Sequence, residues 1–193
     1  VHNTLLDALR TGEAAISSSE VEIPDGQFAV VSLHRFENIF SRKMLSRIVD
    51  LLVQISEQTP LLFILHKPTE KKLEQYGLRQ RLEDCPGIEL RPRYSYFQFI
   101  KLVKHARLVI TDGGSNQEEC CYMGKSCIIM RATSERQEGI GQNALISNYE
   151  YQKMLPMLEN PDEFAIKPQN LDQSPSAIIV DELQRVDGKP PMS

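Results

Sequence analysis

The chain has 193 residues, 41% hydrophobic and 25% charged, with a formal net charge of −4 at pH 7. These values place it in the ordinary soluble globular class, with enough chain for one well-buried domain. A main partner made of nucleic acid is disfavoured, because no clustered basic run is present to neutralise phosphates. No apolar stretch approaches the roughly 20 residues that cross a bilayer, so no membrane partner is expected.

The cysteines and the start of the chain indicate the compartment. Cysteines stand at positions 85, 120, 121 and 127, and the adjacent pair would form an awkward disulfide. No Cys/His spacing typical of zinc occurs, so neither a metal nor a cofactor is expected. Residues 1–13 are polar and acidic, unlike a signal peptide. Together these features predict reduced thiols in a cytoplasmic protein.

Apolar runs and segments of helical period alternate along the chain. The pattern predicts strands over residues 27–33, 61–65, 88–90, 108–110 and 127–130, and helices over 41–57, 68–82, 96–105 and 117–123, the last closed by Gly124. Beyond Gly139 the signal weakens, with a strand over 144–146, a helix over 151–158, a connection over 167–175, a terminal helix and a frayed tail over 187–193. Strands apolar on both faces, each followed by a helix, predict an α/β fold: a three-layer Rossmann-like domain whose parallel sheet is flanked by helices.

Polar residues follow the predicted strands. They are His34 and Arg35 after the first, His66 and Lys67 after the second, 112–115 after the fourth, and 131–133 after the fifth. In an open parallel sheet, ligands bind beyond the carboxyl ends of the strands, where the strand order reverses. Imidazole, guanidinium, glycine and hydroxyl groups at one edge suit an anion that carries hydroxyl groups.

The turn over residues 111–116 has the composition of a phosphate site. Gly113 and Gly114 allow close approach of the backbone and a positive φ, and the next helix points free N–H groups into the cleft. The alternative is a tight turn between a strand and a helix, in which Ser115 or Asn116 caps the helix. The turn alone does not decide between these two interpretations.

Acidic residues open the helix that follows this turn. Glu118 and Glu119 would repel a phosphate unless one of them has another task. An acid that binds the hydroxyls of a ribose has such a task. We therefore expect one glutamate to face the cleft and the other to face solvent or a partner domain. The helix dipole alone would also favour both acids.

Two further charged segments could contribute to an anion site. His34 and Arg35 could clamp a phosphate, with the imidazole available for proton or charge work. His34 could instead cap the next helix or be satisfied in a loop. Arg131, Glu135 and Arg136 form a charged loop after a buried strand, and surface ion pairing would also explain them.

Three motifs taken together resemble the UDP-N-acetylglucosamine 2-epimerase family. They are HRFEN at 34–38, DGGSNQEE at 112–119 and RATSERQEG at 131–139, and they occur in the family's order and spacing. The family has the GT-B-like fold, with its active site between two Rossmann-like halves, and these motifs resemble those of the C-terminal half. The resemblance implies one nucleotide-binding domain over 1–193, with a hinge or linker helix in 1–15, a Rossmann-like core over 27–165 and a C-terminal helix over 175–187.

The resemblance also implies residue roles. His34 matches the functional histidine near the diphosphate and Glu119 the acid that holds the ribose. The residues implied to bind UDP are Arg35, Gly113, Gly114, Ser115, Glu119, Arg131 and Arg136. Two positions depart from the family pattern: Gly113 stands where the family turn has serine, and Gln137 stands where its TERPE motif has proline. These departures bear on the sugar more than on the nucleotide.

The family's reaction inverts C2 of the sugar by loss and re-addition of UDP, and its proton-transferring carboxylates resemble residues of the N-terminal half. The resemblance therefore implies a UDP-sugar ligand, an N-terminal domain of the same protein as partner, and a homodimer at full length. This chain alone is expected to bind UDP weakly and not to epimerise. Two alternatives stay open: the donor-binding half of a GT-B glycosyltransferase, and a nucleotide-sugar-binding module without catalysis.

Overall fold

The computed structural model describes residues 3–169 and 174–186. Within these residues one parallel sheet has the strand order β3-β2-β1-β4-β5-β6. Its strands are β1 Ala29–Ser32, β2 Leu61–Leu65, β3 Ile88–Pro92, β4 Leu108–Thr111, β5 Cys127–Ile129 and β6 Ala144–Ile146. The predicted α/β fold with a parallel sheet is thereby confirmed. The order reverses between β1 and β4, so the crevice that favours ligands opens beyond these two strands.

Helices cover both faces of the sheet. They are α1 Leu5–Thr11, α2 Glu13–Ser18, α3 Phe36–Ile39, α4 Arg42–Ser56, α5 Lys67–Gln75, α6 Arg79–Glu83, α7 Tyr96–His105, α8 Gly114–Met123, α9 Tyr151–Glu159, α10 Pro161–Phe164 and α11 Pro175–Val186. The predicted helix over 68–82 is two helices, because Gly77 adopts a φ of 68° between them. A left-handed residue ends a helix, and only glycine adopts that conformation without strain.

The core lies in layers on the two faces of the sheet. Val31 of β1 and Phe63 of β2 are paired in the ladder and face one layer, together with α4. Val30 of β1 faces the opposite layer, which includes residues of α7 and α8. Successive strand residues point to opposite faces, so a strand covered on both sides must be apolar at every position. This requirement explains the uninterrupted apolar runs.

The ends of several elements differ from the sequence-based expectations. Helix α8 begins at Gly114 rather than at 117, and β3 extends to Pro92. Gly124 closes α8 with a φ of 70°, as predicted. Helix α11 is described as far as Val186, whereas the expected tail over 187–193 and part of the connection over 167–175 lie outside the described residues. Among the described helices, none is long and apolar enough to span a membrane.

Candidate functional site

Asp112 organises the carboxyl edge of the sheet. It directly follows β4 and is fully buried. Its carboxylate accepts hydrogen bonds from the backbone N–H of His34 at 3.0 Å, from that of Arg35 at 3.0 Å and from Asn38 Nδ2 at 2.9 Å. In return, Arg35 Nε donates to the backbone carbonyl of Asp112 at 3.1 Å. The segment after β1 is thus fixed to the turn after β4, a role that the sequence did not reveal.

Asn38 extends this network to a third strand. Besides its bond to Asp112, Asn38 Nδ2 donates to the carbonyl of Met130 at 3.0 Å, directly after β5. Its Oδ1 accepts from the Tyr149 hydroxyl at 2.7 Å. All three side chains are buried, where an unpaired polar group would be costly. Neighbouring strand ends are therefore held in one arrangement before any ligand arrives.

The glycine turn serves close approach rather than positive φ. Gly113 is the N-cap of α8 with a φ of −85°, so the expectation of a left-handed turn is wrong. A Cβ atom there would lie 2.9 Å from Asn116 Oδ1 and 3.2 Å from His34 Nε2. Within the described chain no side chain caps α8, which overturns the alternative of a Ser115 or Asn116 cap. The N–H groups of the first turn thus point into the crevice, where they favour an anion.

The loop over residues 131–139 is held against α8 by Gln117. Gln117 Nε2 donates to the carbonyls of Arg136 at 3.2 Å and Glu138 at 2.9 Å. Its Oε1 accepts from the Ser134 hydroxyl at 2.7 Å. Gln117 is buried, so all these bonds are shielded from water. It lies within a recognised motif, yet its role depends on contacts that its position does not indicate.

A cavity of about 300 Å³ lies at the start of α8, and we call it the charged cavity. It is lined by His34, Arg35, Gly113, Gly114, Ser115, Asn116, Glu135 and Arg136. Six of these residues were predicted for the site from the family motifs. Arg131, also predicted, does not line the cavity but pairs with Glu135 at 2.5 Å. Arg35 forms an ion pair with the same carboxylate.

Glu135 in the charged cavity and Glu118 in α8 each form an ion pair with arginine. Hydrogen bonds from Arg131, together with a backbone N–H and Arg35, lower the pKa of Glu135 to about 2. Glu118 lies 2.9 Å from Arg136 and is only 1% exposed, so it does not face solvent, one of the two surroundings expected for it. Burial raises the pKa of Glu118 against the opposing effect of Arg136. The cationic groups of this region are thus partly neutralised by the chain itself.

A second cavity, of about 310 Å³, lies on the other side of α8, and we call it the aromatic cavity. Its lining comprises Leu5, Ser32, Ile64, His66, Arg93, Tyr94, Tyr96, Phe99, Ser115, Asn116 and Glu119. Glu119 is only 4% exposed, and it is the glutamate that faces the cleft. Burial raises the pKa of Glu119 to about 7, although a hydrogen bond with Tyr96 opposes the shift. These aromatic residues had no predicted role in the site: Tyr96 and Phe99 were predicted only as part of a helix, and Tyr94 lay between predicted elements.

His66 lines the aromatic cavity and lies beside His34 of the charged cavity. Its Nε2 lies 3.2 Å from the Ser32 hydroxyl, and its ring centroid lies 4.7 Å from that of His34. Burial lowers the pKa of His66 to about 4, with further contributions from the charges of His34 and Arg93. His66 is therefore neutral near pH 7. The neighbouring histidine, His34, lines the charged cavity.

Ser115 and Asn116 line both cavities, so the two spaces meet across the first turn of α8. One end offers aromatic rings and a buried carboxyl group, and the other offers guanidinium groups and free N–H groups. This arrangement fits an elongated ligand with a flat ring, hydroxyls and an anionic tail. Across residues 3–169 and 174–186, no group of three or more His, Cys, Asp or Glu side chains could hold a metal ion.

Comparison with known proteins gives concordant matches. The family model described as UDP-N-acetylglucosamine 2-epimerase matches residues 1–173. A UDP-N-acetylglucosamine 2-epimerase of Methanocaldococcus jannaschii is 31% identical over 159 residues, which cover 77% of this chain and 43% of that protein. A UDP-2,3-diacetamido-2,3-dideoxy-D-glucuronate 2-epimerase of Pseudomonas aeruginosa is also 31% identical, over 72% of this chain and 38% of that protein. The chain thus spans less than half the length of these relatives.

The fold is also found in solved structures. The structure of the Methanocaldococcus jannaschii UDP-GlcNAc 2-epimerase in complex with UDP-GlcNAc and UDP superimposes with a TM-score of 0.81 at 26% identity. The match covers 95% of this chain and 54% of that one. Nearly all of the present chain therefore corresponds to about half of that longer chain.

Proposed function

Because this chain belongs to the UDP-N-acetylglucosamine 2-epimerase family, we propose that it is the UDP-binding half of a nucleotide-sugar epimerase. The full-length enzyme would interconvert UDP-N-acetylglucosamine and UDP-N-acetylmannosamine by eliminating UDP and adding it back. The observation that carries the proposal is the pair of cavities that meet at Ser115 and Asn116. A nucleoside diphosphate has the length and chemistry to occupy both.

The uridine would occupy the aromatic cavity. Tyr94 and Phe99 offer ring faces against which a base can pack, since offset aromatic stacking is favourable. Glu119 would accept hydrogen bonds from the vicinal hydroxyls of the ribose through its carboxylate. Because Glu119 is buried, water competes poorly for these bonds. With a pKa of about 7, Glu119 is increasingly charged above pH 7, where a charged acceptor roughly doubles the strength of these bonds.

The diphosphate would lie in the charged cavity. Its oxygens would accept from the free N–H groups of the first turn of α8 and from the Ser115 hydroxyl. The absence of side chains in the glycine turn lets the phosphates approach the backbone closely. The residues that we assign to the diphosphate are Arg35, Gly113, Gly114, Ser115, Arg131 and Arg136.

His34 would act on the leaving group. Its ring lines the charged cavity near Gly113, where a diphosphate oxygen would gain negative charge as the bond to the sugar breaks. A hydrogen bond from the imidazole to that oxygen would stabilise the developing charge and make His34 a catalytic residue. The half-buried His66 beside it stays neutral near pH 7 and adds no second positive charge.

The remaining catalytic groups would come from the N-terminal half of the full-length protein. Removal of the C2 proton requires a base positioned at the sugar, and its return requires an acid. We propose that residues 1–193 form one nucleotide-binding domain that contributes the UDP site, and that the full-length protein is a homodimer. This chain alone would then bind UDP without epimerising its sugar.

Calorimetric titration of this chain with UDP tests the binding proposal, with uridine and inorganic pyrophosphate as partial ligands. We expect UDP to bind more tightly than either part, because it occupies both cavities. Glu119→Ala should weaken UDP binding by roughly ten- to a hundredfold, the worth of hydrogen bonds to a charged group. If UDP does not bind, or binds no better than pyrophosphate, the proposal fails.

Incorporation of deuterium at C2 from heavy water by the full-length protein tests the reaction. We expect His34→Ala to slow this exchange strongly. The matched control is His105→Ala, because His105 is exposed. Within the described residues, its side chain has one hydrogen bond, to the backbone carbonyl of Lys101. Full exchange in His34→Ala would contradict the catalytic role of His34, and transfer of the sugar to an acceptor without exchange would indicate a glycosyltransferase.

A further inference from the structure

The carboxylate of Glu135 occupies an unusual position for an acid in an anion site. It lines the charged cavity and pairs with both Arg35 and Arg131. A Cβ atom on Gly114 would lie 3.4 Å from Glu135 Oε1, so this oxygen sits against the first residue of α8. The start of a helix and two guanidinium groups are the surroundings in which a phosphate group binds. In this structure the carboxylate of Glu135 lies in these surroundings.

The order of residues along the two cavities places Glu135 at the end farthest from Glu119. Glu119 lies in the aromatic cavity, Ser115 and Asn116 line both cavities, and Glu135 lines only the charged one. A nucleotide with its ribose at Glu119 would therefore pass Ser115 and Asn116 with its first phosphate. A second phosphate would extend toward Arg35 and Glu135.

We propose that Glu135 holds the place of the terminal phosphate of UDP and is displaced by it on binding. This role rests on the proposed function and deepens it, since it makes Glu135 a determinant of affinity for the diphosphate. The terminal phosphate takes over the arginines, and the Glu135 side chain, which is 49% exposed, turns into solvent. The site is thus kept neutralised when empty, and release of UDP is assisted by the returning carboxylate.

The opposite role for Glu135 is that of a support that keeps its arginines in place for the ligand. The two roles predict opposite signs. A displaced competitor costs binding energy, so removing its charge tightens binding. A support contributes binding energy, so removing its charge loosens binding. Only ligands that reach the Glu135 position should respond to a competitor, which separates UDP from UMP.

Calorimetric titration of this chain with UDP and UMP tests the proposal. In Glu135→Gln we expect UDP to bind about fivefold more tightly, the worth of a partly exposed ion pair, and UMP to bind within twofold of the unsubstituted chain. Glu135→Ala, which removes the carboxylate and its contacts outright, should change UDP binding in the same direction. The matched control is Glu37→Gln, since Glu37 lies 3.7 Å from Arg131 but does not line the charged cavity.

The outcomes are separable. Weaker UDP binding in Glu135→Gln would overturn the competitor role while leaving the proposed function intact. An equal gain for UDP and UMP would place the carboxylate at the first phosphate and overturn the assignment to the second. Failure of the unsubstituted chain to bind UDP would overturn the proposed function, and this inference with it.

Discussion

The two cavities beside α8 treat charge in opposite ways. In the charged cavity, hydrogen bonds from arginines lower the pKa of Glu135 to about 2, so this carboxylate stays ionised down to about that pH. In the aromatic cavity, burial raises the pKa of Glu119 to about 7 and lowers that of His66 to about 4. Exposed charges in one cavity are paired, whereas buried groups in the other are driven toward neutrality. A ligand that satisfies both must itself change from uncharged ring to anion along its length.

The difference follows from what surrounds each cavity. The charged cavity is built from loops after β1, β4 and β5, which are joined by polar contacts of Asp112 and Asn38. The aromatic cavity is lined by rings of the loop after β3 and of α7, packed beside the sheet. Ligand binding in the charged cavity should therefore depend on these polar contacts. The properties of the aromatic cavity should depend on the protonation of its titratable groups. Substitutions that affect only one cavity test this separation.

The largest effect is expected from Asp112→Asn. The new amide would replace one acceptor oxygen with a donor that faces an N–H group, and would leave at least one donor of this network unpaired, with a loss of about 3 kcal/mol in the free energy of unfolding. Urea unfolding measures this loss. In the folded protein, UDP binding should fall much more than uridine binding. Asp162→Asn is the control, because Asp162 is exposed and pairs only loosely with Arg107 at 3.4 Å; an equally small loss in Asp112→Asn would contradict the organising role.

The pH dependence of stability tests the aromatic cavity. The folded-state pKa of Glu119, about 7, is above its ordinary value of 4.5, so the folded state binds this proton more tightly than the unfolded state does. Its contribution to stability is fully present below pH 4.5 and is lost as the pH rises to 7. The loss is at most about 3.5 kcal/mol, from about 1.4 kcal/mol per pKa unit.

Melting temperatures between pH 4.5 and 8 measure this dependence. We expect Glu119→Gln to flatten the decline, because the amide does not titrate, while Glu163→Gln at an exposed position should leave it unchanged. His66 acts in the opposite sense: its lowered pKa costs stability as the pH falls from 6.5 to 4. An unchanged decline in Glu119→Gln would show that the carboxyl group is not buried as described.

The sequence predicted the frame of the molecule, and its motifs named six of the residues that line the charged cavity. The uninterrupted apolar run predicted β2, and the helical spacing of apolar residues predicted α7, because burial constrains which positions are apolar. The family motifs identified His34, Arg35 and Arg136 as candidate site residues, and the structure places all three around one cavity. The organising role of Asp112 was not predictable, because its partners lie 74 to 78 positions away and no local pattern records such contacts. The aromatic lining was missed likewise, since Phe99 has the spacing of an ordinary helix residue.

The smallest effect is expected from Gln117→Met, which keeps the side-chain volume but removes the bonds to the 131–139 loop. The backbone carbonyls of Arg136 and Glu138 lose their donor, so stability should fall by about 1–2 kcal/mol. UDP binding should weaken by about threefold, because a looser loop costs ordering when the diphosphate binds. Uridine binding should not change, since the loop does not line the aromatic cavity. If uridine weakens as much as UDP, the cavities are mechanically coupled through α8, and their separation is wrong.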